Sequence, residues 1–140
     1  MSPRRPTATE WGQLSSLFPG LTQGNVWITD DPTDRYNCIA FSLLFTDRWI
    51  NPPQPLNAFQ QLYNSYAHPT LPAGAANARI DGWATPPKGP TIGQMTHGSR
   101  TTTTNMPGLW ESKLGQSYRI THGRGELTGN LYGRVVTSFG

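Results

Sequence analysis

Only one cysteine, Cys38, occurs in the 140 residues. A lone thiol excludes an internal disulfide and any metal site built from several thiolates. It suits a reducing compartment without requiring one. Charge is equally sparse: Asp, Glu, Lys and Arg make up 14% of the chain, with nine arginines against two lysines. The net charge of +3 is spread along the sequence, and no basic run or basic helix gathers it. Nucleic acid is therefore not an expected partner. No stretch approaches the ~18 consecutive apolar residues of a membrane span. The opening MSPRRPTATEW has basic residues but no apolar segment behind them, unlike a Sec-type signal. The expectation is a soluble chain, cytoplasmic or exported by another route, with no membrane partner.

Other chemistries are missing their parts. Three histidines without ligand spacing argue against zinc. The segment GRGELTGNLYG is rich in glycine but has no phosphate-loop lysine and no strand–Gly–helix setting, so nucleotide binding is not expected. The acidic residues Asp30, Asp31 and Asp34 share one loop and do not supply a glycosidase carboxylate pair. No metal and no cofactor is expected.

What the sequence does have is packing area and punctuation. Hydrophobic residues are only 35%, but five Trp, five Tyr and five Phe stand among 15 Gly and 13 Pro. This composition predicts one compact domain with many turns. Residues 1–10 read as a flexible arm and 11–140 as a single α+β domain. A helical turn or two is expected over 11–18, and a short β-like segment over 26–29. CIAFSLLFTDRW, 38–49, is apolar nearly all round. It predicts a central buried helix with Asn37 as N-cap and Cys38 in its first turn, stopped by Pro52 and Pro53. A second helix is expected over 55–67, where Phe59, Leu62, Tyr63 and Tyr66 share a face. Strands follow near 79–84, 93–103, 109–114, 118–122 and 132–139, with TNMPG as a turn. Helices first and then an antiparallel sheet is an α+β order.

The first turn of a helix lowers a thiol pKa, because its unpaired N–H groups favour the thiolate. Cys38 is thus either a nucleophile at a helix mouth or a small buried core residue. A thiol nucleophile needs a base, usually histidine. His68 sits at a helix end and His122 at a strand end before a glycine-rich turn. His97 lies in a strand among small neighbours that leave an imidazole room to reach a helix terminus. An orienter for that imidazole would come from the next strand, where alternation puts Trp110, Ser112 and Leu114 on one face and Glu111 and Lys113 on the other. Ser112 and Glu111 both remain candidates. Trp27, Trp49 and Trp83 are candidate cleft aromatics.

A Cys opening a buried helix, a His on a strand and a polar residue on the following strand resemble the order of the papain-like superfamily, whose small members include cell-wall amidases and deamidases. More closely, YNCIAFSL, THGSR, WESKLG, ITH and LTGNLYGRVVTSF resemble a family of short, largely uncharacterised proteins with the same blocks in the same order. The resemblance spans 25–139 and is weakest over 50–90. Gly98 stands where that family tends to carry an alanine-like residue. The resemblance implies a papain-like fold with the Cys-bearing helix on an antiparallel sheet. It makes Cys38 the nucleophile and His97 the base, and gives His122 no role. The expected activity is a cysteine hydrolase or acyl transferase acting on an amide bond through a thioester. Its substrate would be peptidoglycan, a peptide or a protein amide. By analogy it would be a toxin or effector, and an inhibitor or immunity protein would then be a partner. The competing expectation is a non-enzymatic binding module with Cys38 buried. For the oxyanion, the Cys38 N–H and a second donor from the preceding loop are the natural choice.

Overall fold

The computed structural model describes residues 2–86 and 93–140. Among them are three helices, α1 (Ala8–Leu17), α2 (Cys38–Ser42) and α3 (Leu56–Ser65), and seven strands. The strands are β1 (Ile28–Asp30), β2 (Thr70–Leu71), β3 (Ile80–Ala84), β4 (Met95–Thr101), β5 (Trp110–Lys113), β6 (Arg119–His122) and β7 (Arg134–Phe139). They form one antiparallel sheet in the order β1-β6-β5-β4-β3-β7-β2. The chain is α+β, as its element order predicts. No helix among the described residues is long and apolar enough to cross a membrane.

Each face of the sheet carries its own core. On one, Trp83, Leu114 and Ile120 pack with Leu14 and Phe18 of α1 and with Val26, Ile28 and Leu127. On the other, Ile80, Ala84, Met95 and Phe139 pack with Cys38 and Ile39 of α2 and with Phe59 and Tyr63 of α3. The two helices on this second face come very close because Gly82 and Gly98 are cross-strand partners. A Cβ at Gly98 would lie 2.6 Å from the Tyr63 hydroxyl and 3.0 Å from Ser42 Oγ, and one at Gly82 would lie 2.6 Å from the Phe59 ring. Only glycine leaves the space that α2 and α3 fill.

Several expectations need correction. The helix expected over 38–49 ends at Ser42. Leu44 turns the chain with φ 68°, and Arg100 Nη1 donates to the Ser42 carbonyl at 3.0 Å, so a side chain from the sheet takes the acceptor the next turn would have used. The apolar run beyond it packs as loop: Phe45 and Ile50 rest against the buried residues. The flexible arm expected over 1–10 is anchored. Arg4 bridges Ile28 and pairs with Glu10 at 2.7 Å. Thr7 and Glu10 form a capping box that starts α1 at Ala8, three residues before the expected turn. Trp83 is fully buried and cannot line a cleft, whereas Trp49 is 42% exposed and Trp27 lies beneath the Arg5 guanidinium at 3.9 Å. β2 lies inside the stretch read as a helix-breaking loop, recruited by pairing with β7.

Candidate active site

Cys38 is placed by its neighbour. Asn37 Oδ1 accepts from the Ala40 N–H at 3.2 Å and caps α2. The same side chain ties the loop beyond the helix, accepting from Ile50 N at 3.1 Å and donating to the Ile50 carbonyl at 2.7 Å. The thiol is therefore held at the start of α2, 6% exposed. Its sulfur lies against the edge of β4, 3.9 Å from the Thr96 carbonyl, and the nearby Gly98 N–H favours the thiolate. Those two peptide groups flank His97. β4 pairs with β5 only at Arg100↔Glu111 and Thr101↔Trp110, so the β4 edge beside His97 is free of strand pairing and the sulfur occupies it.

The His97 imidazole rises from the same point onto the other face. Gly98 faces α2 and α3, and strand alternation turns its neighbour away from them. His97 Nε2 lies 3.0 Å from Ser112 Oγ, and Ser112 Oγ lies 2.7 Å from His122 Nε2. His122 Nδ1 in turn lies 2.6 Å from the Gly123 carbonyl. The sheet register explains the chain of contacts: Ser112 pairs with Ile120 and Trp110 with His122, so both polar side chains of β5 and β6 face the His97 side. Tyr132 stacks on the His97 ring at 4.0 Å between centroids, and Trp83 meets it edge-on at 6.0 Å. His97 Nδ1 has no hydrogen-bond partner; it is the one such buried side-chain nitrogen or oxygen among the described residues.

Ser112, one of the two candidate orienters, thus contacts His97. Glu111 does not. It lies on the opposite face, with one carboxylate oxygen 2.8 Å from Thr29 Oγ1 and 3.0 Å from Arg119 Nε. The other oxygen accepts from Thr103 N at 2.8 Å and Thr103 Oγ1 at 2.9 Å. Glu111 fastens β5 to β1, to β6 and to the loop after β4. His68 is remote from the site, with Nδ1 2.8 Å from the Gly140 carbonyl. His122, to which the sequence assigns no role, is the group that the site adds. The available signal was the alternation in RITH, which puts His122 on the same face as Ile120.

Charge is kept out of this region. Burial pushes the Cys38 thiol up to about 11, against the opposing pull of the Gly98, Ile39 and Cys38 N–H groups. Burial lowers His97 well below the ordinary histidine value, with His122 acting in the same direction. Burial also brings His122 down to about 4, partly offset by the Gly123 carbonyl. At neutral pH the resting site holds a thiol and two neutral imidazoles. No hydrogen bond joins the sulfur to Nδ1 in this state.

The described residues contain no group of three or more His, Cys, Asp or Glu arranged to hold a metal ion. No curated protein and no solved structure matches the chain. The family model for a domain of unknown function (DUF7689) matches residues 27–140, and the chain belongs to that family.

Proposed function

We propose that the protein is a cysteine-dependent hydrolase or acyl transferase acting on an amide bond, with Cys38 as nucleophile, His97 as base and Ser112 as the orienter of His97. The observation that carries this reading is the bare, unpartnered Nδ1 of a fully buried histidine, whose other nitrogen is held by Ser112 and whose flanking peptide groups meet the only thiol in the chain. Unpaired buried acceptors are rare and call for an explanation; a nitrogen waiting for a proton is one.

The resting groups are neutral, which fixes the order of events. Burial penalises both charged forms, raising the thiol and lowering the imidazole, so the proton rests on sulfur. The thiolate therefore does not pre-exist. The reading requires the Cys38 side chain to turn from the Thr96 carbonyl around the β4 edge toward Nδ1. The S–H proton passes to Nδ1 as the sulfur bonds to the substrate carbonyl carbon. The carbonyl oxygen takes up the negative charge beside the Cys38 N–H. Collapse breaks the C–N bond, Nδ1 returns the proton to the departing amine, and a thioester remains. Water gives a proton to Nδ1 as its oxygen bonds to the carbonyl carbon; the C–S bond then breaks, Nδ1 returns the proton to sulfur and the acid leaves, and an amine in place of water completes a transfer. A peptide, a peptidoglycan stem or a protein carboxamide each presents that bond. A role as a secreted toxin or effector, with an immunity protein as partner, belongs to the same proposal.

The test is the iodoacetamide alkylation rate of native Cys38 against pH, in the wild type and in His97→Gln. A base at Nδ1 gives the wild type a neutral-pH limb that the variant loses, a fall of at least tenfold at pH 7. Coincident profiles would make Cys38 a buried spacer and the protein a non-enzymatic module. Ammonia or amine release from casein glutamine, a muropeptide panel and an isopeptide, each abolished in Cys38→Ala, then separates the substrate classes.

A further inference from the structure

We infer that His122 is a positioning residue: through Ser112 it fixes the tautomer of His97, so that the nitrogen facing the thiol is always the proton-free one. The catalytic meaning of this inference rests on the Cys38–His97 reading above, whereas the tautomer assignment does not.

The argument runs from one end of the hydrogen-bond chain. The Gly123 carbonyl can only accept, so His122 Nδ1, 2.6 Å away, carries the hydrogen. A neutral imidazole has one N–H, so His122 Nε2 is bare and accepts. Ser112 Oγ at 2.7 Å must then donate to it. A serine has one hydroxyl hydrogen, and it is now used. Ser112 can meet His97 Nε2 at 3.0 Å only by accepting, so Nε2 carries the His97 hydrogen and Nδ1 is left with its lone pair free. That is the atom without a partner. One carbonyl thus sets the direction of three hydrogen bonds.

Ser112 alone would not do this. A hydroxyl donates or accepts with equal ease, and with no acceptor behind it the serine hydrogen could turn to His97 Nε2, placing the ring proton on Nδ1. His97 in that form could not receive a proton from the thiol. The carbonyl that sets the direction is itself held. Gly123 opens a turn in which Glu126 N donates to the Gly123 carbonyl at 3.1 Å and Glu126 Oε1 accepts from Gly123 N at 2.5 Å. Glu126 also accepts from Thr22 N at 3.0 Å, so the turn is anchored to the loop after α1. The neutrality that the argument requires follows from the complete burial of all three side chains.

The measurement is long-range 1H–15N correlation of histidine-labelled protein at pH 7, with the three rings assigned through His68→Gln, His97→Gln and His122→Gln. The expected result is two opposite tautomers in one chain: His97 protonated at Nε2 and His122 protonated at Nδ1. His97 protonated at Nδ1, or His122 protonated at Nε2, overturns the inference in the wild type alone, without any variant having to fold. In His122→Phe the ring volume is kept and the acceptor lost. His97 should then populate both tautomers, and Cys38 alkylation at pH 7 should fall several-fold. His122→Gln, whose Oε1 can accept from Ser112, should keep both at wild-type values. A His122→Phe protein that is less stable but leaves the His97 tautomer unchanged would reduce His122 to a packing role and sink the inference. Should the wild-type tautomers be as stated while alkylation ignores His97, the proton order stands and the hydrolase reading is what fails.

Discussion

Two neutral imidazoles sealed inside the sheet should make this fold unusually sensitive to mild acid. His97 and His122 are fully buried, with folded values respectively well below 6.5 and about 4. In the unfolded chain both titrate near 6.5. For a base with a depressed folded value the unfolded state binds more protons as pH falls, so stability decreases as pH drops through 6.5 and keeps decreasing until the folded value is reached. From pH 7 to pH 5 the linkage relation gives roughly 2 kcal/mol for each ring, about 4 kcal/mol together. The glutamates with lowered values, Glu10 and Glu126, act in the same direction. Their loss begins near their ordinary value of 4.5, below most of this window. Against a total of about 5–15 kcal/mol for a domain the histidine effect is large. Urea unfolding at pH 7, 6 and 5 measures it, with midpoints and slopes fitted separately. His122→Gln should flatten the dependence by about half. A wild-type stability that is level between pH 7 and 5, or a variant with the full wild-type slope, would refute the assignment of both rings as buried and neutral.

Two further predictions concern the scaffold of the site. Gly98→Ala puts a methyl group 2.6 Å from the Tyr63 hydroxyl, which is bonded to Ser42 at 2.6 Å and whose ring is stacked on Phe139. The expected cost is about 1–3 kcal/mol in urea unfolding, together with faster alkylation of Cys38 as α2 is pushed from the sheet; unchanged stability and labelling would show that this contact yields freely. Arg124→Met leaves the fully buried Asp81 carboxylate without the guanidinium that it meets at 2.7 and 2.8 Å. A loss of about 3–5 kcal/mol is expected, partly restored in the double variant with Asp81→Asn, and a loss under 1 kcal/mol would count against a buried ion pair there.

The strands other than β2 were legible because their signals are local. Turn formers bracket each one, and Asn105 and Gly108, both at positive φ, occupy the TNMPG turn that separates β4 from β5. The length of α2 was not legible. An apolar run predicts burial whether it is helix or loop, and what ends the helix is the Arg100 side chain, 58 residues away. The choice between Ser112 and Glu111 was open for a related reason. Alternation separates two faces without naming which one holds the imidazole; the partner strands decide that. His122 was visible as a residue but not as a member of the site, since its place beside Ser112 depends on the β5–β6 register.

The arrangement also explains why the sulfur lies at the edge of β4 while the imidazole stands on the face of the sheet away from α2. α2 must lie close to the sheet for its first residue to reach β4, which demands a residue without a side chain on the helix side, and Gly98 meets that demand. The imidazole must then come from an adjacent position and emerge on the other face, where Ser112 and His122 can hold it. Those two requirements fall on consecutive residues, Gly98 and His97, because a strand alternates its side chains. A one-residue slip of β4 would send the imidazole into Tyr63 and leave Tyr132 stacked on nothing. The shift in register between Trp83 and Ala84, where Met95 and His97 pair with successive β3 residues, absorbs Thr96 without such a slip. Thr96 Oγ1 is held by the Tyr132 carbonyl at 2.7 Å, leaving the Thr96 backbone carbonyl at the edge to receive the thiol. In the proposed reaction the gap between β4 and β5 is consequently the coordinate that matters. Its width is held from one end by the Arg100↔Glu111 pair and by the bond from Arg100 to the end of α2, so that the strand carrying His97 and the helix carrying Cys38 are fastened by one arginine.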